Sequence, residues 1–226
     1  MGIRALGLGL LLALVASPAR AENARELLTS AAFTLADKAT ALGQIDQAIK
    51  SAEAAVARNP GDQDSRLQRA LAISYRGKIA RSRSDLIAAR RGFEAAVASG
   101  PENAEAYLAL AGWHLGVVAE LGPVMARTVL GARTATGRQA LDRALALGGD
   151  RAFFRAIASL QLIILDPSDV VGARRHAEAA VNASAATPID RLMQRQAATL
   201  LPLLRPGNGK AAAQTAKLLA PFGRVR

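Results

Sequence analysis

The chain of 226 residues contains no cysteine, two histidines and few aromatic residues, which make up 4% of the sequence. Without cysteine there are no disulfide bonds and no cysteine that a lipid could modify after a leader peptide. Two histidines without cysteine also do not make a metal site. Runs of β-branched residues are scarce, whereas alanine and leucine dominate, and this balance favours helix over strand. We therefore expect an all-α protein with no metal centre.

The N-terminus has the pattern of a secretory signal peptide. Arg4 precedes an apolar stretch over residues 5–16, and the small residues Ala19 and Ala21 stand where a signal peptidase cuts. A membrane anchor is the alternative, but spanning a bilayer takes about 20 apolar residues. We expect cleavage after Ala21 and a soluble protein of a bacterial periplasm. It would not be a lipoprotein and would have no membrane span after cleavage.

Basic residues outnumber acidic ones: without Arg4 and Arg20 the chain holds 27 basic and 18 acidic residues, a net charge of +9. Within residues 65–93 the only acidic residue is Asp85. The basic residues of this segment are Arg66, Arg69, Arg76, Lys78, Arg81, Arg83, Arg90 and Arg91. Guanidinium groups suit carboxylates and phosphates, so the cluster fits an acidic peptide, a lipid headgroup or an envelope polymer.

The alternative interpretation of this basic cluster is a solvated helix face whose long side chains cover an alanine-rich stack. It is favoured because the basic residues spread around the helices instead of forming one stripe. Nucleic acid is not expected as a partner, since an exported protein leaves the compartment that contains nucleic acid.

An alanine pattern recurs before turn prolines. Its two copies are Ala48, Ala52, Ala55 and Pro60, and then Ala89, Phe93, Ala96 and Pro101. The spacing places small or aromatic side chains on one face of a helix that a proline-marked turn ends. Recurrence of such a unit is typical of a helical solenoid, in which each helix pair packs only against its neighbours.

The pattern predicts a helical domain over residues 22–204, followed by a linker, a short helix and a tail over 205–226. The domain is expected to hold four helix hairpins, the first broken at Gly43, and a capping helix over 189–201. An apolar insertion over 117–135 interrupts the third hairpin and is expected to contain a short extra helix over 124–130.

These features resemble tetratricopeptide (TPR) repeats, which pair helices with the same alanine spacing and turn proline. From Pro60 the units end at Pro101, Gly149 and Pro188 and are 41, 48 and 39 residues long, whereas a TPR unit has about 34. The motifs Ala111-Gly-Trp-His-Leu-Gly-Val-Val118, Leu130-Gly131 and Gln139-Ala-Leu-Asp-Arg-Ala-Leu145 are similar to the lengthened repeat of the regulator-of-microtubule-dynamics family and its bacterial relatives. The resemblance implies an α-solenoid of about four antiparallel hairpins with a C-terminal capping helix. An exported protein would not meet microtubules, so only the binding scaffold carries over.

The resemblance also implies a ligand groove, because the first helix of each TPR pair lines a concave surface. The candidate groove residues are Gln68, Tyr75, Arg76, Leu108, Leu115, Phe154 and Gln161. Tyr75 and Phe154 fit the hydrophobic core equally well. Trp113 is expected to pack against the extra helix, where its indole N–H needs a partner.

No catalytic constellation is found. His114 lies on the packing face of its helix without a carboxylate three or four residues before it, so we interpret it as a structural histidine that hydrogen-bonds the insertion. Residues 207–210 lack the first glycine and the Ser or Thr of a phosphate loop, and no serine has a nucleophile-elbow setting. We expect neither an enzyme nor a cofactor.

The leading interpretation is therefore an exported scaffold that binds a protein or peptide partner of the cell envelope in the groove. The alternative is an accessory solute-binding protein whose pocket is covered by the insertion over 117–135. Gly112, Gly116 and Gly122 would permit the close backbone approach that such a lid needs.

Overall fold

The computed structural model describes residues 19–225. Over this range the chain forms eleven α-helices and no β-strand, which confirms the expected all-α class. The helices are α1 (Ala19–Phe33), α2 (Lys38–Arg58), α3 (Gln63–Ala80), α4 (Arg83–Ser99), α5 (Ala104–Leu121), α6 (Pro123–Leu130), α7 (Thr134–Leu147), α8 (Ala152–Leu165), α9 (Val170–Asn182), α10 (Pro188–Leu204) and α11 (Gly209–Leu219). The signal peptide over residues 1–21 lies outside the described residues except for its last three, and it stays a prediction.

Most helices begin where a side chain caps the free N–H groups of the first turn. The capping residues are Asp37, Asp62, Ser82, Asn103, Asp169, Thr187 and Asn208. α10 has a complete capping box, because the Thr187 hydroxyl accepts from Asp190 N–H and the Asp190 carboxylate accepts from Thr187 N–H.

The first hairpin turns earlier than the sequence predicts. The break lies at residues 34–37 because the Asp37 carboxylate accepts a hydrogen bond from Thr40 N–H at 2.7 Å and so starts α2. The prediction of a break at Gly43 is wrong, since this residue lies exposed inside α2. A glycine weakens a helix by only about 1 kcal/mol, which the packing of α2 outweighs.

The helices pack in consecutive pairs, α1 with α2, α3 with α4, α5 with α7, and α8 with α9. The first helix of each pair also contacts the first helix of the next pair, and α10 packs on α8 and α9. Ala48, Ala52 and Ala89 of the recurring pattern are fully buried in the core. Where α3 meets α4, a Cβ added at Gly92 would lie 2.7 Å from Ala70 Cβ. Small residues therefore set the spacing between these helices.

The insertion over 117–135 contains the end of α5 and the predicted extra helix, α6. Gly122, with φ of 76°, turns the chain so that α6 is bent by 119° from α5. α6 packs on α4 and α5. Arg90 of α4 donates to the carbonyl of Leu130 at 3.0 Å and Arg83 donates to that of Val129 at 3.1 Å. The insertion is thus fastened to the second hairpin.

Across residues 19–225, no single helix combines the length and the hydropathy that crossing a membrane requires. α5 and α6 reach both only when the two bent helices are taken together.

The C-terminal segment folds back onto the beginning of the described chain. α11 contacts α8 and α10, with Ala212 and Ala216 fully buried. After α11 the backbone N–H of Phe222 donates to the carbonyl of Ala32 in α1 at 2.7 Å. The last described residues therefore lie against the first described helix.

Candidate functional site

The helices α1, α3, α5, α8 and α10 contact one another in this order and share a surface that we call the first-helix face. Arg25 and Ala32 of α1 are seven residues apart, and Asp64 and Tyr75 of α3 are eleven apart. Residues at these spacings lie on the same side of a helix. One end of the face is charged, and the C-terminal segment covers the other end.

The charged end is a chain of ion pairs that links α1, α3, α5, α8 and α10, and we call it the ion-pair ladder. Arg25 contacts Asp64 at 2.6 Å and Glu105 at 2.7 Å. Arg151, at the start of α8, contacts Glu105 at 3.3 Å and Asp190 of α10 at 3.3 Å. Each arginine bridges two carboxylates, so the ladder ties these helices together at one end.

Asp190 is the most enclosed member of the ladder, with a side chain 1% exposed. Burial by itself raises the pKa of a carboxyl, but the Thr187 hydroxyl, the charge of Arg151 and the N–H groups of Thr187 and Phe153 outweigh it. Together they hold the pKa of Asp190 below its usual value. The buried carboxylate is thus fully partnered.

An open cleft of about 360 Å³ lies at the ladder, lined by Arg25, Asp64, Glu105, Arg151 and Phe154 among other residues. The guanidinium of Arg151 lies 5.4 Å from the Phe154 ring centroid, a cation–π contact. The charges that line this cleft already pair with one another, so the cleft presents no unpaired charge from the ladder to a ligand.

At the other end of the face, Ala32, Tyr75 and Lys78 hold the segment after α11, and we call these three residues the tail seat. The ring of Phe222 meets the ring of Tyr75 edge to face, with centroids 4.8 Å apart. The Lys78 ammonium donates to the carbonyl of Pro221 at 3.3 Å. Phe222 itself is 7% exposed. Burial raises the pKa of Tyr75 to about 12, so its hydroxyl stays neutral at physiological pH.

A second cleft of about 200 Å³ adjoins the tail seat, between the end of α1, one side of α10 and the C-terminal segment. Its lining includes Phe33, Leu192, Arg195, Gln196 and Arg224. The Oε1 atom of Gln196 is buried and has no hydrogen-bond partner among the described residues. A buried acceptor without a donor is unusual and costly. The cleft is therefore lined by a residue whose side-chain acceptor is unused.

Three of the seven candidate groove residues lie at this face. Tyr75 is part of the tail seat, and Phe154 lines the charged cleft. Gln161 of α8 points at α5, because a Cβ added at Gly112 would lie 2.9 Å from its Nε2 atom. The structure does not bring the three into one site, since they spread over both ends of the face.

The other four candidates are buried or paired within the packed helices. Arg76 pairs with Asp85 of α4 at 2.8 Å and with Asp46 of α2 at 3.5 Å, which places it between the second helices of two pairs. Leu115 is buried against α7, where a Cβ at Gly137 would lie 2.6 Å from its Cδ2 atom. Leu108 and Gln68 are buried in their helices. Arg76 differs from Tyr75 because neighbouring residues of a helix point about 100° apart.

His114 hydrogen-bonds the insertion, as its sequence setting predicts. Its Nδ1 atom accepts from the backbone N–H of Arg133 at 3.2 Å. Burial, together with the charges of Arg90 and Arg133, lowers the pKa of His114 to about 4, so the ring is neutral. The adjacent Trp113 lies under the guanidinium of Arg90 at 5.7 Å, and its indole N–H has no hydrogen-bond partner among the described residues.

The basic cluster of the second hairpin is largely engaged within the protein. Arg69 pairs with Glu53, Arg76 with Asp85, Lys78 with Glu120, and Arg90 with Glu94. Arg66 and Arg83 donate to backbone carbonyls of Pro60 and Val129. These contacts agree with the interpretation that the basic side chains cover the helix stack.

Sequence reasoning missed the residues that organise the face. Asp64 and Glu105 stand in the first turns of α3 and α5, and Arg151 directly precedes α8, so their shared position near a helix start was a usable signal. Phe222 is a lone aromatic between Pro221 and Gly223 in a basic tail. Among residues 24–225, no three His, Cys, Asp or Glu side chains are grouped as a metal site would require.

In comparisons with family models, curated protein sequences and solved structures, the chain matches none of them.

Proposed function

We propose that the protein is an exported scaffold of stacked, TPR-like helix pairs that binds a protein or peptide of the cell envelope on the first-helix face. The order of contacts supports the stack, because each first helix contacts its own partner and the first helix of the next pair. Export rests on the signal-peptide pattern of residues 1–21.

The observation that carries this proposal is the way the face holds the chain's own C-terminal segment. Phe222 donates a backbone hydrogen bond to Ala32, its ring packs on Tyr75, and Pro221 accepts from Lys78. A backbone hydrogen bond together with an aromatic anchor is how peptide ligands are commonly bound. A surface that holds one segment in this way is suited to hold another.

The ion-pair ladder serves the proposed function as a frame. It joins five helices through residues that are far apart in sequence, Arg25 to Asp190. A rigid, preorganised surface loses less entropy on binding than a flexible one.

Site-specific photocrosslinking tests the proposal in the bacterium. A benzoylphenylalanine replaces Thr199, an exposed residue that lines the cleft beside the tail seat, and in a control variant it replaces the exposed Arg175 of α9. We expect the Thr199 variant to crosslink one segment of one envelope protein that the Arg175 variant does not capture.

A synthetic peptide of the captured segment then provides the quantitative check. It should bind the purified full chain, and the change Tyr75→Ala should weaken binding at least tenfold while Tyr75→Phe leaves it within about twofold. The proposal would be contradicted if positions 199 and 175 crosslink the same proteins equally, or if Tyr75→Ala leaves the affinity for the peptide unchanged.

A further inference from the structure

We propose that the tail seat recognises a partner segment with an aromatic residue followed two positions later by an acidic one, and that residues 220–225 fill the seat until this partner displaces them. The inference rests on the proposed function, because it names the chemistry of the partner and the internal competitor for the same face.

The first step is that the C-terminal occupant is anchored at few points. α11 is buried through Gly209, Ala212 and Ala216, so it stays with α8 and α10. Beyond it, the hydrogen bonds and ring contacts that tie the described tail residues to α1 and α3 are the hydrogen bond of Phe222 to Ala32, the ring contact with Tyr75 and the hydrogen bond from Lys78 to Pro221. The short segment can therefore leave without unfolding a helix.

The second step is that the occupant is held in a strained backbone conformation. Phe222 has φ of 64°, a left-handed conformation that is costly for a residue with a large side chain. Gly223 is needed for the same turn, because a Cβ there would lie 2.0 Å from the carbonyl oxygen of Lys217. A separate peptide has no covalent link to α11, so it can place an aromatic ring on Tyr75 without this strain.

The third step is that the occupant leaves the neighbouring cleft incompletely used. The cleft of about 200 Å³ lies directly beside the tail seat, and Gln196 is one of the residues that line it. The Oε1 atom of Gln196 is buried and has no hydrogen-bond partner among the described residues. A partner segment that enters the cleft and turns the Gln196 side chain towards itself can supply a backbone N–H to this atom, which the C-terminal segment does not.

The fourth step is charge. Arg195 of α10 and Arg224 of the tail line the same cleft, so the C-terminal segment places a second positive charge in a cleft that already contains one. Like charges in one cleft disfavour the occupant, and an acidic residue at the position of Arg224 would instead pair with Arg195. This is why the inferred partner is acidic two residues after its aromatic side chain.

Fluorescence polarisation with the full chain and labelled peptides tests the inference. One probe has the sequence of residues 219–226, the second carries Arg224→Glu, and the third carries both Phe222→Ala and Arg224→Glu. The protein variant Phe222→Ala lacks the ring that occupies the seat, and we expect it to keep every helix because residue 222 lies beyond the end of α11. Phe222→Leu is a milder version. Emission of the single tryptophan, Trp113, reports whether each variant is folded.

We expect the Arg224→Glu peptide to bind the Phe222→Ala protein at least tenfold tighter than it binds the unaltered protein, with Phe222→Leu between the two. It should also bind at least threefold tighter than the unmodified peptide at 50 mM salt. Raising salt to about 500 mM should remove this advantage, because the pairing with Arg195 is screened. The peptide without phenylalanine should not bind, and adding Tyr75→Ala to the protein should abolish binding.

Equal affinity of the unaltered and Phe222→Ala proteins would overturn the internal competition, and equal affinity of the two phenylalanine peptides would overturn the acidic preference. These failures differ from failure of the proposed function. If the Thr199 crosslinks still identify one partner whose segment lacks an aromatic residue, the scaffold stands and this inference falls.

Discussion

At the scale of single residues, the most informative side chain is a buried histidine that holds a neighbouring segment of backbone. His114 is 3% exposed and fastens the segment after α6 by accepting from Arg133 N–H. Burial, with the nearby charges of Arg90 and Arg133, keeps its pKa near 4, far below the value of about 6.5 in an unfolded chain. Between about pH 4 and pH 6.5 the ring is therefore mostly neutral in the folded protein and mostly protonated in the unfolded chain.

This difference predicts a loss of stability in mild acid. Because the pKa of His114 is lower in the folded state, its contribution is complete above about pH 6.5 and is lost as the pH falls towards 4. Between pH 7.5 and pH 5 the loss amounts to about 2 kcal/mol. Urea unfolding at the two pH values should show the free energy of unfolding dropping by about that much more in the unaltered protein than in His114→Gln.

The comparison between these two proteins removes the other titrating groups. His176 is also buried, and burial together with Arg175 and Arg155 lowers its pKa, but it is present in both proteins and cancels. If both proteins lose the same free energy between pH 7.5 and pH 5, the account of His114 is wrong.

At the scale of the helices, side-chain caps start most of the elements, and the glycines inside helices have different roles at different positions. Gly43 lies inside α2 with no atom within 4 Å of the place where a Cβ would stand. Gly92 also lies inside a helix, α4, but there a Cβ would lie 2.7 Å from Ala70 Cβ of α3. Glycine is thus not required by packing at position 43, whereas at position 92 the close approach of α3 and α4 requires it.

Alanine substitution should separate these two roles. Gly43→Ala should raise the free energy of unfolding by roughly 0.5–1 kcal/mol, because alanine has the higher helix propensity and meets nothing. Gly92→Ala should lower it by about 1–3 kcal/mol, because α3 and α4 must move apart.

Urea unfolding of the two variants beside the unaltered protein measures both effects, and each variant is the control for the other. Stabilisation by both alanines would mean that α3 and α4 are not packed as closely as the structure has them.

At the scale of the whole molecule, two long-range devices hold the first helices together. The ion-pair ladder connects α1 to α10 at one end of the first-helix face. The C-terminal segment connects α11 to α1 and α3 at the other end. Most other contacts between the described helices join elements that are close in sequence, so these links add coupling between distant elements.

The ladder predicts an unequal cost for removing two arginines. Arg151→Ala should destabilise the protein by about 2 kcal/mol, because it removes the partner of the buried carboxylate of Asp190 and one partner of Glu105. Arg69→Ala is the matched control, since Arg69 and Glu53 are both about half exposed and such pairs contribute less than roughly 1 kcal/mol.

Thermal and urea unfolding of both variants, with hydrogen exchange in α10 as a local readout, tests this difference. If Arg151→Ala loses no more free energy of unfolding than Arg69→Ala, the ion-pair ladder does not stabilise the protein. Faster exchange confined to α8 and α10 would agree with its role in joining these helices.

Composition and periodicity by themselves determined the all-helical class, the extra helix α6 and the helix after residue 205. These features depend on local propensity, on caps and on the spacing of apolar residues, all of which are written in short stretches of sequence. The exception at this level was the first turn, where the cap at Asp37 decided the boundary and Gly43 did not. At this turn the preference of aspartate for the N-cap position determined the boundary, and the tendency of glycine to end a helix did not.

Only the tertiary structure decided which residues share the first-helix face. Tyr75 and Arg76 are neighbours in sequence, yet one meets Phe222 and the other is held between α2 and α4. The pairing of Arg25 with Glu105 and of Phe222 with Ala32 depends on how the helices stack. Such contacts join residues from about 80 to 190 positions apart, and the spacing of residues within one helix carries no information about them.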